Sequence, residues 1–245
     1  MRKVNDGLGG CADKQPPTFA LCHKLKQPGL ACGCEGMYRC VASSVEGFVQ
    51  QVAVSYLGHG YWFYVAGCVP EHKDPLLVDE KLIAKYGIDR SKWDRARRKR
   101  AGLANMQYIR CGRFFLLLAT AGPHLFFEEE AGNLRDARRV SIKFAGYSVS
   151  YRGGHPHVRI ERETYNCIKG YLLERATRNS AETLAQGIRA IPFEPYAPVR
   201  RQMFNLLRAV NRARKTAGMS EVPLDAVRLR RAAIRVFDSP LPLRD

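Results

Sequence analysis

Two imidazoles stand two positions apart in His155-Pro156-His157, directly after the pair Gly153-Gly154. On a β-strand, residues i and i+2 leave the same face, so both rings would project side by side. Imidazole nitrogen is a common ligand for divalent ions, and two adjacent rings can fill neighbouring positions in one coordination shell. The same pair could instead touch a phosphate, or work as general acid and base near Tyr151 or Lys169. The double glycine suits a tight hairpin turn, and Pro156 is tolerated near the start of an edge strand, where its missing N–H removes little.

A second chemistry is electrostatic. The chain carries 40 Lys+Arg against 23 Asp+Glu, a formal charge of +17 over 245 residues, and the excess is clustered. Between positions 90 and 101 lie Arg90, Lys92, Arg95, Arg97, Arg98, Lys99 and Arg100, opposed by Asp94 alone, whereas residues 46–89 hold three basic and six acidic groups. Such an array neutralises phosphates and releases their counterions. Trp93, within the cluster, could stack on a base or anchor its helix to the core, and the anchor is the expectation here. A second set, Arg200, Arg201, Arg208, Arg212, Arg214 and Lys215, dresses a later helix. The implied partner is nucleic acid: single-stranded or hairpin DNA, or structured RNA.

These residues need elements to hold them. Val45, Phe48, Val52 and Tyr56 recur at three-to-four spacing after Ser43 and Ser44, predicting a helix that Gly58 closes. Residues 61–69 read as a buried strand, 74–87 and 89–102 as helices, and 106–110 with 113–120 as a hairpin. Residues 124–130 fit either a strand or a helix start. Residues 139–152, with a break at Gly146, pair with 155–161, and a helix follows to Arg178. After a Pro-punctuated linker at 191–198 come helices at 199–217 and 223–236. The fold class is therefore α+β: an antiparallel sheet packed with helices, then a basic all-helical extension. The expected division is a leader at 1–40, a core at 41–178 and the extension at 179–245.

His–hydrophobe–His on a strand of a small antiparallel sheet resembles the HUH single-strand endonucleases, which comprise rolling-circle initiators, conjugative relaxases and single-tyrosine transposases. The resemblance covers about residues 105–175 and implies an RNA-recognition-like, ferredoxin-like sheet. It also implies that His155, His157 and one more polar side chain hold Mg²⁺ or Mn²⁺ against a scissile phosphate. Glu161 continues the alternation from His157 through Arg159, and Glu128, Glu129, Glu130 and His124 are further choices for the third ligand. A tyrosine then attacks and stays joined to the 5′ end. Tyr196 has the separation from the histidines that the family shows, with Gln202 six positions on, and Tyr165 lies on a helix, as does Tyr171. The metal would polarise the phosphate for that attack.

Five of the eight cysteines fall in the first forty residues, which are rich in Gly and Pro. Cys22, Cys32, Cys34 and Cys40, with His23 in reserve, could form a Zn²⁺ knot, although their spacing is not that of paired zinc ribbons. The simpler expectation is a flexible leader. The start does not read as a signal peptide, and no run approaches eighteen apolar residues, so the expected setting is cytoplasmic, with no membrane partner. No P-loop, nucleophile elbow or dinucleotide fingerprint appears. Three functions remain open: metal-dependent nicking and joining of single-stranded DNA in a mobile or replicating element, a non-catalytic RNA- or DNA-binding module, and a metal-independent endoribonuclease.

Overall fold

The computed structural model describes residues 38–237, which fall within one compact unit running from Gly36 to Ser239. The fold is α+β, with its strands divided between two antiparallel sheets.

The first sheet is built from β1 (Phe63–Cys68), β2 (Met106–Cys111), β3 (Phe114–Ala119) and the two-residue β4 (Arg135–Asp136), in the order β2-β3-β1-β4. Every pairing is antiparallel. Helices α2 (Pro75–Lys85) and α3 (Lys92–Arg100) connect β1 to β2, and the short α4 (Leu125–Glu129) connects β3 to β4. This is the split β-α-β arrangement of ferredoxin-like sheets, with its last strand reduced to a stub. The apolar run of β3 follows from burial on both faces. Leu116 and Leu118 join the main core, while Leu117 and Ala119 join a second core with Tyr86, Ile88, Tyr108 and Phe126. Residues 124–130 are thus the helix of the two readings left open.

The second sheet is β5 (Ile142–Phe144), β6 (Tyr147–Arg152) and β7 (His155–Ile160), in that order. The break expected near Gly146 is a two-residue turn, with Ala145 at φ 46° and Gly146 at φ 78°. The Gly153-Gly154 turn likewise has both residues at positive φ, which fits the twist of a two-residue hairpin. The histidines therefore belong to the second sheet, outside the ferredoxin-ordered strands to which the resemblance assigned them.

Helix α1 (Val45–Gln50) is capped by Ser44 and runs into a π-helical turn, Gln51–Tyr56. Helices α5 (Arg162–Arg175), α6 (Ala181–Arg189) and α7 (Ala197–Thr216) close the main core against the second sheet. Helix α6 has no counterpart in the sequence reading; Ser180 caps it by accepting from Thr183 N, and Leu184, Ala185 and Ile188 bury its inner face. The helix expected over 223–236 is replaced by one 3₁₀ turn, Leu224–Ala226, and an irregular segment. The main-chain groups of that segment are used elsewhere. Leu229 O accepts from Arg200, Ala232 N donates to Glu194, and Val236 O accepts from Ser43 N. Long-range pairing overrides a local helical preference that is weak by comparison.

Candidate nucleic-acid interface

Helix α3 is held at its ends and along one side by polar groups alone. Ser91 Oγ accepts from Asp94 N (3.1 Å), which caps the first turn. At the other end Leu103 N donates to Arg98 O and Gly102 N to Lys99 O, with Gly102 at φ 70°, which is a Schellman termination. Arg98 donates twice to Ala104 O (3.1 and 2.8 Å), and Asn105 Nδ2 donates to Arg95 O (3.0 Å). No residue of α3 is buried.

Of its cations, Arg97 meets Asp94 at 3.3 Å and Arg95 donates to Arg90 O. Lys92, Lys99 and Arg100 are exposed, and none forms a salt bridge or a side-chain hydrogen bond with the described residues. Trp93 is not the expected anchor: it is 78% exposed, because mooring through Arg98 and Asn105 leaves the indole with nothing to bury against.

In the second sheet, the register of β6 and β7 sets Arg152 opposite His155, Ser150 opposite His157 and Ser148 opposite Arg159. Pro156, Val158 and Ile160 alternate with these, and Val158 and Ile160 are buried in the core. His155 is exposed and His157 half-buried. Burial first, then Arg159, Arg152 and Arg201, hold the His157 imidazole below the ordinary histidine range. The pair is thus surrounded by guanidinium groups.

Glu161 is committed elsewhere, paired with Lys143 at 2.5 Å. The other proposed third ligands are also placed. His124 Nδ1 caps α4 by accepting from Phe126 N, Glu129 meets Lys85 at 2.7 Å, and Glu130 accepts from Tyr86 OH; Glu128 is exposed. Among the described residues no three His, Cys, Asp or Glu side chains come together as a metal would need.

Of the candidate nucleophiles Tyr196 and Tyr165 are packed, whereas Tyr171 is exposed with Arg175 3.9 Å over its ring. Tyr196 is the N-cap residue of α7, with Arg231 4.8 Å over its ring. Its hydroxyl is buried without a hydrogen-bond partner among the described residues, and burial raises its pKa. Tyr165 packs on the main core and is raised by burial too. Gln202 reads neither tyrosine. Its amide accepts from Ile160 N (2.8 Å) and donates to Ile160 O (3.0 Å), closing the free edge of β7. Tyr151, named as a partner in acid–base chemistry, donates to Gly154 O and braces the hairpin turn.

Family models, curated proteins and solved structures were all compared with this chain, and none matches.

One arginine outside these groups is built into the core. Arg110 on β2 pairs with Asp79 at 2.8 Å, both nearly inaccessible, and Tyr108 OH donates to the same carboxylate (2.5 Å). Cys40 Sγ donates to Asp79 as well (3.7 Å), and burial together with that carboxylate pushes its thiol up to about 12. Cys40 is thus a core thiol whose sulfur is hydrogen-bonded to the Asp79 carboxylate. Its suggested co-ligands Cys22, Cys32 and Cys34, and His23, lie outside the described residues.

On α7, Arg201, Arg208, Arg212 and Lys215 face solvent, the last three along a shallow cleft of about 340 Å³. Arg200 is half-buried and donates to Pro195 O, and Arg214 is buried.

One region had no place in the sequence reading. A cleft of about 400 Å³ is lined by Tyr38, Gln51, Tyr56, His59, Gln107 and Arg95, the last from α3. Tyr38 OH lies 2.6 Å from Gln107 Oε1 and accepts from Tyr108 N. The signal for it was Gln51, Ser55 and His59, three polar residues at four-residue spacing on a helix otherwise read for its apolar side. The π-helical turn presents Gln51 and Ser55, and His59 lies on the 3₁₀ turn Leu57–His59 that follows; π-helical turns often mark functional positions. No helix among the described residues is long and apolar enough to cross a membrane.

Proposed function

We propose that this protein binds nucleic acid through the phosphate backbone, with α3 as the principal contact. The observation that carries this reading is a helix that buries none of its own residues and holds six cations, with Arg90 just before it, opposed by Asp94 alone. Confining so much like charge to three turns costs repulsion that a polyanion relieves, and each neutralised phosphate releases a counterion. The hairpin bearing His155 and His157 adds Arg152, Arg159 and the nearby Arg201 as a second positive patch.

The reading stops at binding. A Mg²⁺ or Mn²⁺ ion at the two histidines would sit among three guanidinium groups, and Glu161, the acidic candidate closest in sequence, is paired with Lys143. These residues fit a phosphate better than a divalent cation, so no nicking step is assigned to Tyr196 or Tyr165.

Fluorescence anisotropy with a labelled 20-base-pair duplex tests the proposal. Log affinity should fall linearly with log salt, with a slope of about −0.9 per phosphate contacted. The triple variant Lys92→Glu/Lys99→Glu/Arg100→Glu should weaken binding at least tenfold and flatten the slope by about three units, while melting at the parent's temperature. A parent that retains no oligonucleotide at low salt, or binds with no salt dependence, would refute the proposal.

A further inference from the structure

We infer that Trp93, Arg97 and Arg100 form a stacking platform for an unpaired stretch of polynucleotide. This inference rests on the nucleic-acid reading above and adds the strand state of the ligand.

The indole is the largest apolar group on α3 and is 78% exposed, with no ring partner or hydrogen bond among the described residues. An aromatic side chain of this kind buries some 150–250 Å² when it finds a partner, so leaving it in water gives up a large share of its hydrophobic gain. Trp93, Arg97 and Arg100 are related by i, i+4 and i+7, which puts them on one face of the helix. At 1.5 Å per residue the three span about 10.5 Å, the length of about three nucleotides of a stacked strand at 3.4 Å each. A π-face next to two guanidinium groups suits one exposed base with its flanking phosphates, since every base has a face to offer and arginine adds cation–π attraction. In a duplex both faces of each internal base are already stacked, so the indole gains nothing there and only the cations engage.

A membrane surface fits less well. Interfacial helices carry a broad apolar face, and α3 has a single large apolar side chain among its nine residues.

The test uses the full chain with dT12, rU12, a 12-base-pair duplex and vesicles of equal phosphatidylserine and phosphatidylcholine. Trp93→Ala should weaken dT12 or rU12 about tenfold or more and change duplex affinity less than twofold. Trp93→Phe should recover part of the loss. Tryptophan emission should be quenched by the single strands in the parent and unchanged in Trp93→Phe. Equal affinity of the parent and Trp93→Ala for both single strands overturns the inference. If Lys92→Glu/Lys99→Glu/Arg100→Glu still weakens binding at least tenfold in that case, the backbone-binding reading stands alone. A parent that binds none of the oligonucleotides removes both, and one that then binds the vesicles makes the ligand a lipid surface.

Discussion

Helices α3 and α7 are both rich in arginine, yet α3 buries no residue whereas α7 buries seven, Arg214 among them. The difference lies in what each guanidinium touches. Arg214 donates to Ser220 O (2.6 Å), Ala176 O (2.6 Å) and Asn179 O (2.7 Å), so it ties the end of α5 to the turn after α7. Ala176 is the C-cap of α5, and a cation is favoured at a helix C-terminus. On α3 only Arg98 does comparable work, through Ala104 O. Arginine content alone therefore separates neither scaffold from contact surface; the acceptors do.

The largest expected effect breaks this comparison on the scaffold side. Arg214→Met takes the donor away from the carbonyls of Ala176, Asn179 and Ser220, the first of them on a buried residue, and should cost about 3 kcal/mol of stability. Arg212→Met, two positions away and exposed, should stay within about 0.5 kcal/mol. Thermal unfolding of the two variants beside the parent decides it. Equal melting temperatures would mean that Arg214 is no more structural than its neighbours.

What could be read in advance follows the same line. The hairpin at 147–160 was legible because Ser148 to Arg152 alternates and Gly153-Gly154 admits two positive φ values, both local properties. The α+β class, α2 and α3 were legible for the same reason. Trp93 was misread because a lone apolar residue on a polar helix is expected to face a core. The polar mooring through Asn105 that makes this unnecessary comes from ten residues beyond the contacted Arg95. The segment 228–236 has a helix-compatible composition, and its fate is decided by Ser43 and Glu194, far away in sequence. At the candidate site the cations were visible and their availability was not. Nothing local marks Arg214 as buried, Glu161 as bound to Lys143, or the Tyr196 hydroxyl as enclosed.

A smaller effect probes the contact side. Gly102 ends α3 at φ 70°, and a Cβ there would meet no neighbouring atom, so Gly102→Ala is strained only by its backbone conformation. The cost should be about 1 kcal/mol. Because α3 packs so little, that loss should appear as faster amide exchange at Gly102 and Leu103, whose N–H groups close the helix, with global unfolding nearly unchanged. Uniform acceleration across the β2–β3 hairpin would show instead that α3 is welded to the core.

The smallest effect asks whether the outward face of α7 joins the contact surface. Arg201 from α7, with Arg159, Arg152 and above all burial, lowers the proton affinity of His157 in the folded chain. The unfolded chain then binds the extra proton, so this residue takes stability away as pH falls through the unfolded histidine value of about 6.5. Between pH 7.5 and 5.5 the parent should therefore lose more melting temperature than His157→Gln does. A bound polyanion offsets the three guanidinium charges and restores the proton, so saturating dT12 should shrink that gap and make binding tighter at the lower pH. If dT12 leaves the gap untouched, the anion does not reach Arg201 and His157. The contact surface then ends at α3, and α7 is scaffold along its whole length.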